Sequence, residues 1–205
     1  MTTIHSTLTS DQISWSRPNV EGHSKLSDGS IDQTEGFGAF DSVFNKYSLG
    51  KKDVRVIDVG GGQHDANSKY VKNKFGINLS VFDPFMRSKA HNEKVLRKAS
   101  LEPFDGAVSF SVLNVIDQSQ ARIQHIQRCF SSITKGSQAF FKVWPGDGSG
   151  IEEVMDGGYQ SNRSIHTYVR EVEKVFGKEN VTLDEGIATI IATKQRRSLN
   201  MMEVG

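Results

Sequence analysis

Between Thr34 and Tyr47 apolar residues fall at Phe37, Phe40, Val43, Phe44 and Tyr47, the three-to-four spacing of an amphipathic helix, and the series stops before Gly50. Val54 to Val59 follows as an apolar run rich in β-branched residues that breaks at Gly60-Gly61-Gly62, the pattern of a buried parallel strand feeding a turn. Asp65 to Phe75 predicts the next helix, closed by Gly76, and Leu79 to Asp83 a second strand stopped by Pro84. A stretch through Arg87 and His91 leads to Lys94–Arg97, read as a short third strand, and Asp105–Phe110 predicts a fourth. Asp117–Ile133 carries Ala121, Ile123, Ile126, Phe130 and Ile133 on one helical face, and Gly136 separates it from a strand over Gln138–Val143. After a glycine-rich loop, Pro145–Gly150, the pattern predicts a helix over Ile165–Phe176 and two strands, Val181–Leu183 and Ala188–Thr193, paired as an antiparallel edge hairpin.

Strands alternating with helices imply an α/β fold: a doubly wound, mostly parallel sheet with that antiparallel hairpin near the C-terminus. The folded unit is expected over residues 34–194. Residues 1–33, rich in Ser, Thr, Asp, Gly and Asn with scattered apolar anchors such as Trp15, read as an N-terminal arm or lid, and residues 195–205 as a flexible tail.

The 205 residues, 36% of them hydrophobic, suffice for a buried core in one domain. Twenty-five Lys and Arg against 24 Asp and Glu leave a net charge of +1, so no overall field selects a polyanionic or a cationic partner. The single cysteine, Cys129, forbids an internal disulfide and a thiolate metal cluster, and reads as a small apolar residue in a reducing compartment. With no apolar stretch near the length of a spanning helix and no basic-then-apolar leader, the expectation is a cytoplasmic protein without a membrane partner. No HxxxH or Cys/His cluster supports a metal site. Oligomerisation stays open.

In such a sheet, ligands gather at the carboxyl ends of the central strands. The strongest chemical signal lies there: Val56-Ile57-Asp58-Val59-Gly60-Gly61-Gly62, a strand ending in an acid and three glycines that opens a helix. Glycines admit close backbone approach to a ligand, and a helix N-terminus offers unpaired N–H groups. About twenty residues further on, Asp83 ends the second strand, where a carboxylate can accept both hydroxyls of a ribose. A dinucleotide fingerprint requires glycine at position 65; Asp65 stands there, repelling a pyrophosphate and tolerating a ligand with an amino group, unless it caps its own helix. S-adenosylmethionine (SAM), with a sulfonium and an ammonium, satisfies that condition. His64, His91, Asp147 and His166 are candidate bases, and the loop Trp144–Gly150 a candidate flexible lid.

From Val54 to Thr193 the chain resembles the Rossmann-like (class I) SAM-dependent methyltransferases. Val56–Gly62 resembles their glycine-rich first motif, Asp83 their ribose-binding acid, Phe104–Val108 and Ala139–Val143 the strands that follow. His64 departs from the pattern, standing where the family often has a third glycine, and the segment between strands two and four is abbreviated. Asp83–Arg87 and Val112–Ile116 look more narrowly like small methyltransferase-like proteins of phages and bacterial DNA-modification loci. The resemblance implies that Gly60, Gly61 and Gly62, with Asp58 beside them, hold the methionine part of SAM. It implies also that Asp83 holds the ribose and Phe85 packs on adenine. The turn Ser111–Asn114 would then lie beside the methyl group, with Asn114 orienting the acceptor.

The acceptor, nucleic acid or small molecule, is not named by these residues. An amino-directed DNA methyltransferase would carry an Asn/Asp-Pro-Pro-aromatic string where Ser111-Val112-Leu113-Asn114 stands, and a cytosine-C5 enzyme a Pro-Cys nucleophile, whereas Cys129 lies mid-helix. The alternatives are a non-catalytic SAM- or nucleotide-binding regulatory module and a nicotinamide-dependent oxidoreductase, the latter disfavoured by Asp65 and by the missing Tyr-x-x-x-Lys pair.

Overall fold

The computed structural model describes residues 37–47, 53–63, 65–144, 147–155 and 158–195. The expected arm and His64 lie outside these residues, as does the expected tail apart from Gln195. Helix α1 (Phe37–Lys46) precedes strand β1 (Arg55–Val59), α2 (Ala66–Phe75), β2 (Asn78–Phe82), α3 (Lys89–Leu101) and β3 (Phe104–Phe110). Then come α4 (Ser119–Ser132), β4 (Ile133–Lys142), the hairpin β5 (Glu152–Met155) and β6 (Gly158–Ser161), α5 (His166–Phe176), β7 (Val181–Asp184) and β8 (Thr189–Thr193). Six strands form one sheet in the order β2-β1-β3-β4-β8-β7, and β5-β6 forms a separate two-stranded sheet. Strands β2, β1, β3 and β4 run parallel, while β8 pairs antiparallel with β4 and β7 with β8. The mostly parallel sheet with an antiparallel edge near the C-terminus is the expected α/β architecture.

Two apolar clusters flank the sheet. Phe40, Val43 and Phe44 of α1 pack with Val71 of α2 on Val56, Val108, Phe140 and Ile191. On the other face Val95 and Ala99 of α3, Ile126 and Cys129 of α4, and Tyr168, Val172 and Phe176 of α5 cover Ile57, Ala107, Phe141 and Ile190. Neighbouring strand positions serve opposite clusters, as period-two alternation requires. Burial raises the Cys129 thiol pKa, so the sulfur behaves as core. Among the described residues no helix is long and apolar enough to cross a membrane.

Three expectations are corrected. Lys94–Arg97 is the middle of α3, not a strand: Ser88 Oγ accepts the His91 N–H as an N-cap at 3.2 Å, and Val95 and Ala99 share the buried face. Strand β4 begins at Ile133, directly after α4, with a register shift against β3 between Phe104 and Gly106. The loop leading toward α5 contains the β5-β6 hairpin, at whose base the Gly150 N–H donates to the Asn162 carbonyl and the Asn162 N–H to the Ile151 carbonyl.

Three polar ties brace the frame. Arg122 of α4 is buried and bidentate to Glu171 of α5, Nε to Oε2 at 2.7 Å and the other limb to Oε1 at 2.8 Å. Its remaining limb donates to the carbonyls of Ile116 and Asp117, fixing the segment after β3. On the opposite side Lys46 Nζ and the Tyr47 hydroxyl both bond Asp184, tying the end of α1 to β7.

Candidate active site

The carboxyl ends of β1, β2 and β3 lie side by side, because β1 is paired in parallel register with both neighbours. Asp58 and Asp83 are therefore adjacent, and each is only 3% exposed. Burial, reinforced by the charge of Asp83 and opposed by Arg87, pushes the Asp58 carboxyl up to about 7.

Gly60–Gly62 crosses above them. Gly60 has φ 88°, and a Cβ there would sit 2.7 Å from the Val112 side chain and 3.5 Å from His125. A Cβ on Gly61 would meet the Asp58 carboxylate at 2.4 Å. Both positions exclude a side chain, which brings the loop backbone down onto the strand ends.

Asp83 is committed more heavily than expected. Its Oδ2 accepts the Gly62 N–H at 2.9 Å, and its Oδ1 accepts those of Phe85 and Met86, both at 3.0 Å. A carboxylate offers about four acceptor sites, so about one remains, on Oδ2. In this conformation it can receive one ribose hydroxyl, and receiving both requires the Gly62 N–H to turn away. Phe85, half-buried, stands on the turn that these bonds close.

Arg87 borders the candidate site, a position that the pattern of the sequence did not single out. Its Nε donates to the Gly62 carbonyl at 2.7 Å and its terminal nitrogen pairs with Asp65 at 2.9 Å, so it straps the glycine loop to the segment after β2. Asp65 stands at the N-cap of α2 without a side-chain cap bond. Its partner is Arg87, which leaves Asp58 as the carboxylate beneath the glycine turn.

Below Gly60, Ser109 Oγ and His125 Nε2 are 2.7 Å apart. Burial, aided by Arg128, lowers the His125 pKa to about 4, so the ring is neutral near pH 7. The sequence carries the signal: His125 falls between Ala121 and Cys129 at four-residue spacing on the buried face of α4.

Beyond β3, Ser111 takes a left-handed φ of 57° and donates its N–H to the Lys142 carbonyl at 2.8 Å, turning the chain along the carboxyl edge. Asn114, three residues on, is 1% exposed and donates to Gln160 Oε1 of β6 at 3.1 Å. Its own Oδ1 is buried without a partner among the described residues. Of the candidate bases, Asp147 is exposed and accepts the Ser149 N–H at 2.9 Å, which holds its pKa below the usual value and weakens it as a proton acceptor. His91 Nε2 meets the Val81 carbonyl at 2.8 Å, and His166 faces Glu185 at 3.4 Å. Among the described residues no three His, Cys, Asp or Glu side chains form a metal-holding group.

No protein-family model matches the chain. No curated protein matches it in sequence. Solved structures do match in fold. A sugar N-methyltransferase from a Streptoalloteichus species superposes with a TM-score of 0.52 at 9% identity, covering 80% of this chain and 90% of that one. Human N-acetylserotonin methyltransferase in complex with SAM gives 0.53 at 15% identity, over 76% of this chain and 51% of the human enzyme. The chain has the Rossmann-like fold found in these methyltransferases.

Proposed function

We propose that the chain binds SAM in the crevice over β1, β2 and β3 and transfers its methyl group to an acceptor. The observation that carries this reading is the glycine turn held between two buried carboxylates, with a Cβ excluded at both Gly60 and Gly61. The residues fit the cofactor. Asp58 offers a negative charge beneath the loop for the methionine ammonium, which would favour its ionised form. Asp83 Oδ2 retains an acceptor site for a ribose hydroxyl. Phe85 is placed on the same turn to cover the base. When bound, SAM supplies an electrophilic methyl on a sulfonium, so the chain's own task is mainly alignment. Asn114 orients the acceptor from the turn after β3, and Ser111 sets the path of that turn. The short-string likeness to phage and DNA-modification proteins keeps nucleic acid beside small molecules among the acceptors.

Calorimetry with SAM, S-adenosylhomocysteine and NAD tests the assignment. SAM and S-adenosylhomocysteine should bind and NAD should not. Asp83→Ala should weaken SAM binding by about 2 kcal/mol, roughly thirtyfold. A urea melt of the same variant registers separately the loss of its bonds to Gly62, Phe85 and Met86. Unchanged SAM affinity removes Asp83 from the site, and preferential NAD binding moves the chain to the oxidoreductases.

A further inference from the structure

We propose that the acceptor presents a non-anionic group bearing an N–H or O–H, received by Asn114 Oδ1. The proposal rests on the methyl-transfer reading and narrows its substrate class.

Asn114 cannot turn its amide around. Gln160 Nε2 donates to the Ser161 carbonyl at 2.8 Å and lies 3.4 Å from the Trp144 carbonyl. Reversing the Gln160 amide would set its oxygen against both carbonyls, so Gln160 Oε1 faces Asn114 and accepts its Nδ2 at 3.1 Å. Reversing Asn114 would in turn oppose two oxygens. Two backbone carbonyls therefore determine, through Gln160, that Asn114 directs an oxygen away from the hairpin. That oxygen is buried and lacks a donor among the described residues.

An amide oxygen only accepts hydrogen bonds, so its complement must donate. An anionic acceptor such as a carboxylate, phosphate or thiolate would oppose it. The hydroxyls of Tyr159, Ser161 and Tyr168, also buried without a partner among the described residues, both donate and accept and select no such class. The place is the right one. Val112, two residues before Asn114, is the side chain a Cβ on Gly60 would strike, so this turn touches the glycine loop. Trp144, whose carbonyl belongs to the same network, is 58% exposed and presents an aromatic surface at the end of the chain segment that continues β4.

Matched probes test the proposal on the full chain by NMR of the Asn114 side-chain amide, with and without S-adenosylhomocysteine. Aniline and phenol carry the donor; N,N-dimethylaniline and anisole keep the ring and lack it. Aniline and phenol should move the Asn114 signal, binding about tenfold more tightly than their methylated counterparts. Equal responses to both members of each pair overturn the proposal. So does the absence of any response, which would leave a bound water as the partner of Oδ1. Asn114→Ala, followed by the backbone shifts of residues 112–115 in place of the lost side-chain signal, should abolish the preference, and the wild-type pairs decide the matter if that variant fails to fold. Backbone shifts of Gly60–Gly62 on adding S-adenosylhomocysteine report the cofactor reading independently of the probe arms.

Discussion

Replacing Asp58 by Asn should change how stability depends on pH, leaving it nearly unaltered in acid and raising it near neutrality. In the fold Asp58 holds its proton up to about 7, against an ordinary 3.8. Between those values the folded state binds more protons than the unfolded chain, so rising pH costs stability, and the full cost is present above about pH 7. The gap corresponds to up to about 4 kcal/mol. His125 works the other way, because its folded value of about 4 lies below the ordinary 6.5. The unfolded chain takes up that proton first as pH falls through 6.5, and stability is lost by up to about 3 kcal/mol on reaching about pH 4. From about pH 4.5 to 6.5 the two slopes oppose, so the wild-type profile should be nearly flat there. The amide introduced by Asp58→Asn cannot ionise, so the variant should show the His125 slope alone, with stability rising toward pH 6.5. Its advantage over wild type should grow from near zero at about pH 4 to a few kcal/mol at about pH 7.5. Urea denaturation followed by far-UV circular dichroism at half-unit pH steps measures this, with equal m-values confirming the same transition. Two parallel profiles separated by a constant offset would refute the reasoning, since they would mean that Asp58 ionises alike in both states.

Gly61→Ala places a methyl 2.4 Å from the Asp58 carboxylate, and should weaken SAM binding severalfold with a destabilisation of about 1–3 kcal/mol; calorimetry and urea melts check both, and a silent variant would show that the loop yields freely. Ser111→Gly relieves a left-handed backbone and should stabilise the fold by up to about 1 kcal/mol with the Lys142 bond retained, whereas a loss of stability in the same melts would mean the side chain matters more than the turn.

Much of the crevice was legible because it is built from short-range signals. The run Val54–Val59 broken by Gly60, with an acid ending each of two successive strands, places Asp58, the glycines and Asp83 together once parallel pairing is assumed. The reading failed where local propensity and long-range packing diverge. Val95-Leu96 looks like a strand by adjacency, yet Val95 and Ala99 at four-residue spacing behind the Ser88 cap form a helix. The β5-β6 hairpin is foreshadowed by Asp156-Gly157 between two short runs, a turn signal the glycine-rich surroundings obscured. Arg87 and Gln160 had no sequence signature at all. Each acts through a partner 25 or 46 residues away, a separation only the folded sheet can close.

Among the described residues, the helix that replaces the expected third strand leaves β2 at the margin of the sheet, with main-chain groups directed outward. Phe82 gives its carbonyl to Gly60 on the inner side, so residues 81 and 83 face out. Two successive side chains of α3 cover them: His91 bonds the Val81 carbonyl, and Asn92 takes the Asp83 N–H at 3.1 Å and returns a bond to its carbonyl at 2.7 Å. Among the described residues an imidazole and an amide thus take the place of a neighbouring strand at Val81 and Asp83, the kind of cover that disfavours edge-to-edge pairing. Two of these three bonds anchor Asp83 from behind while its carboxylate faces the crevice, so the cover of the margin and the stiffness of the binding turn come from one short piece of helix. Loosening His91 and Asn92 together should therefore show first as aggregation during refolding, before any ligand is added.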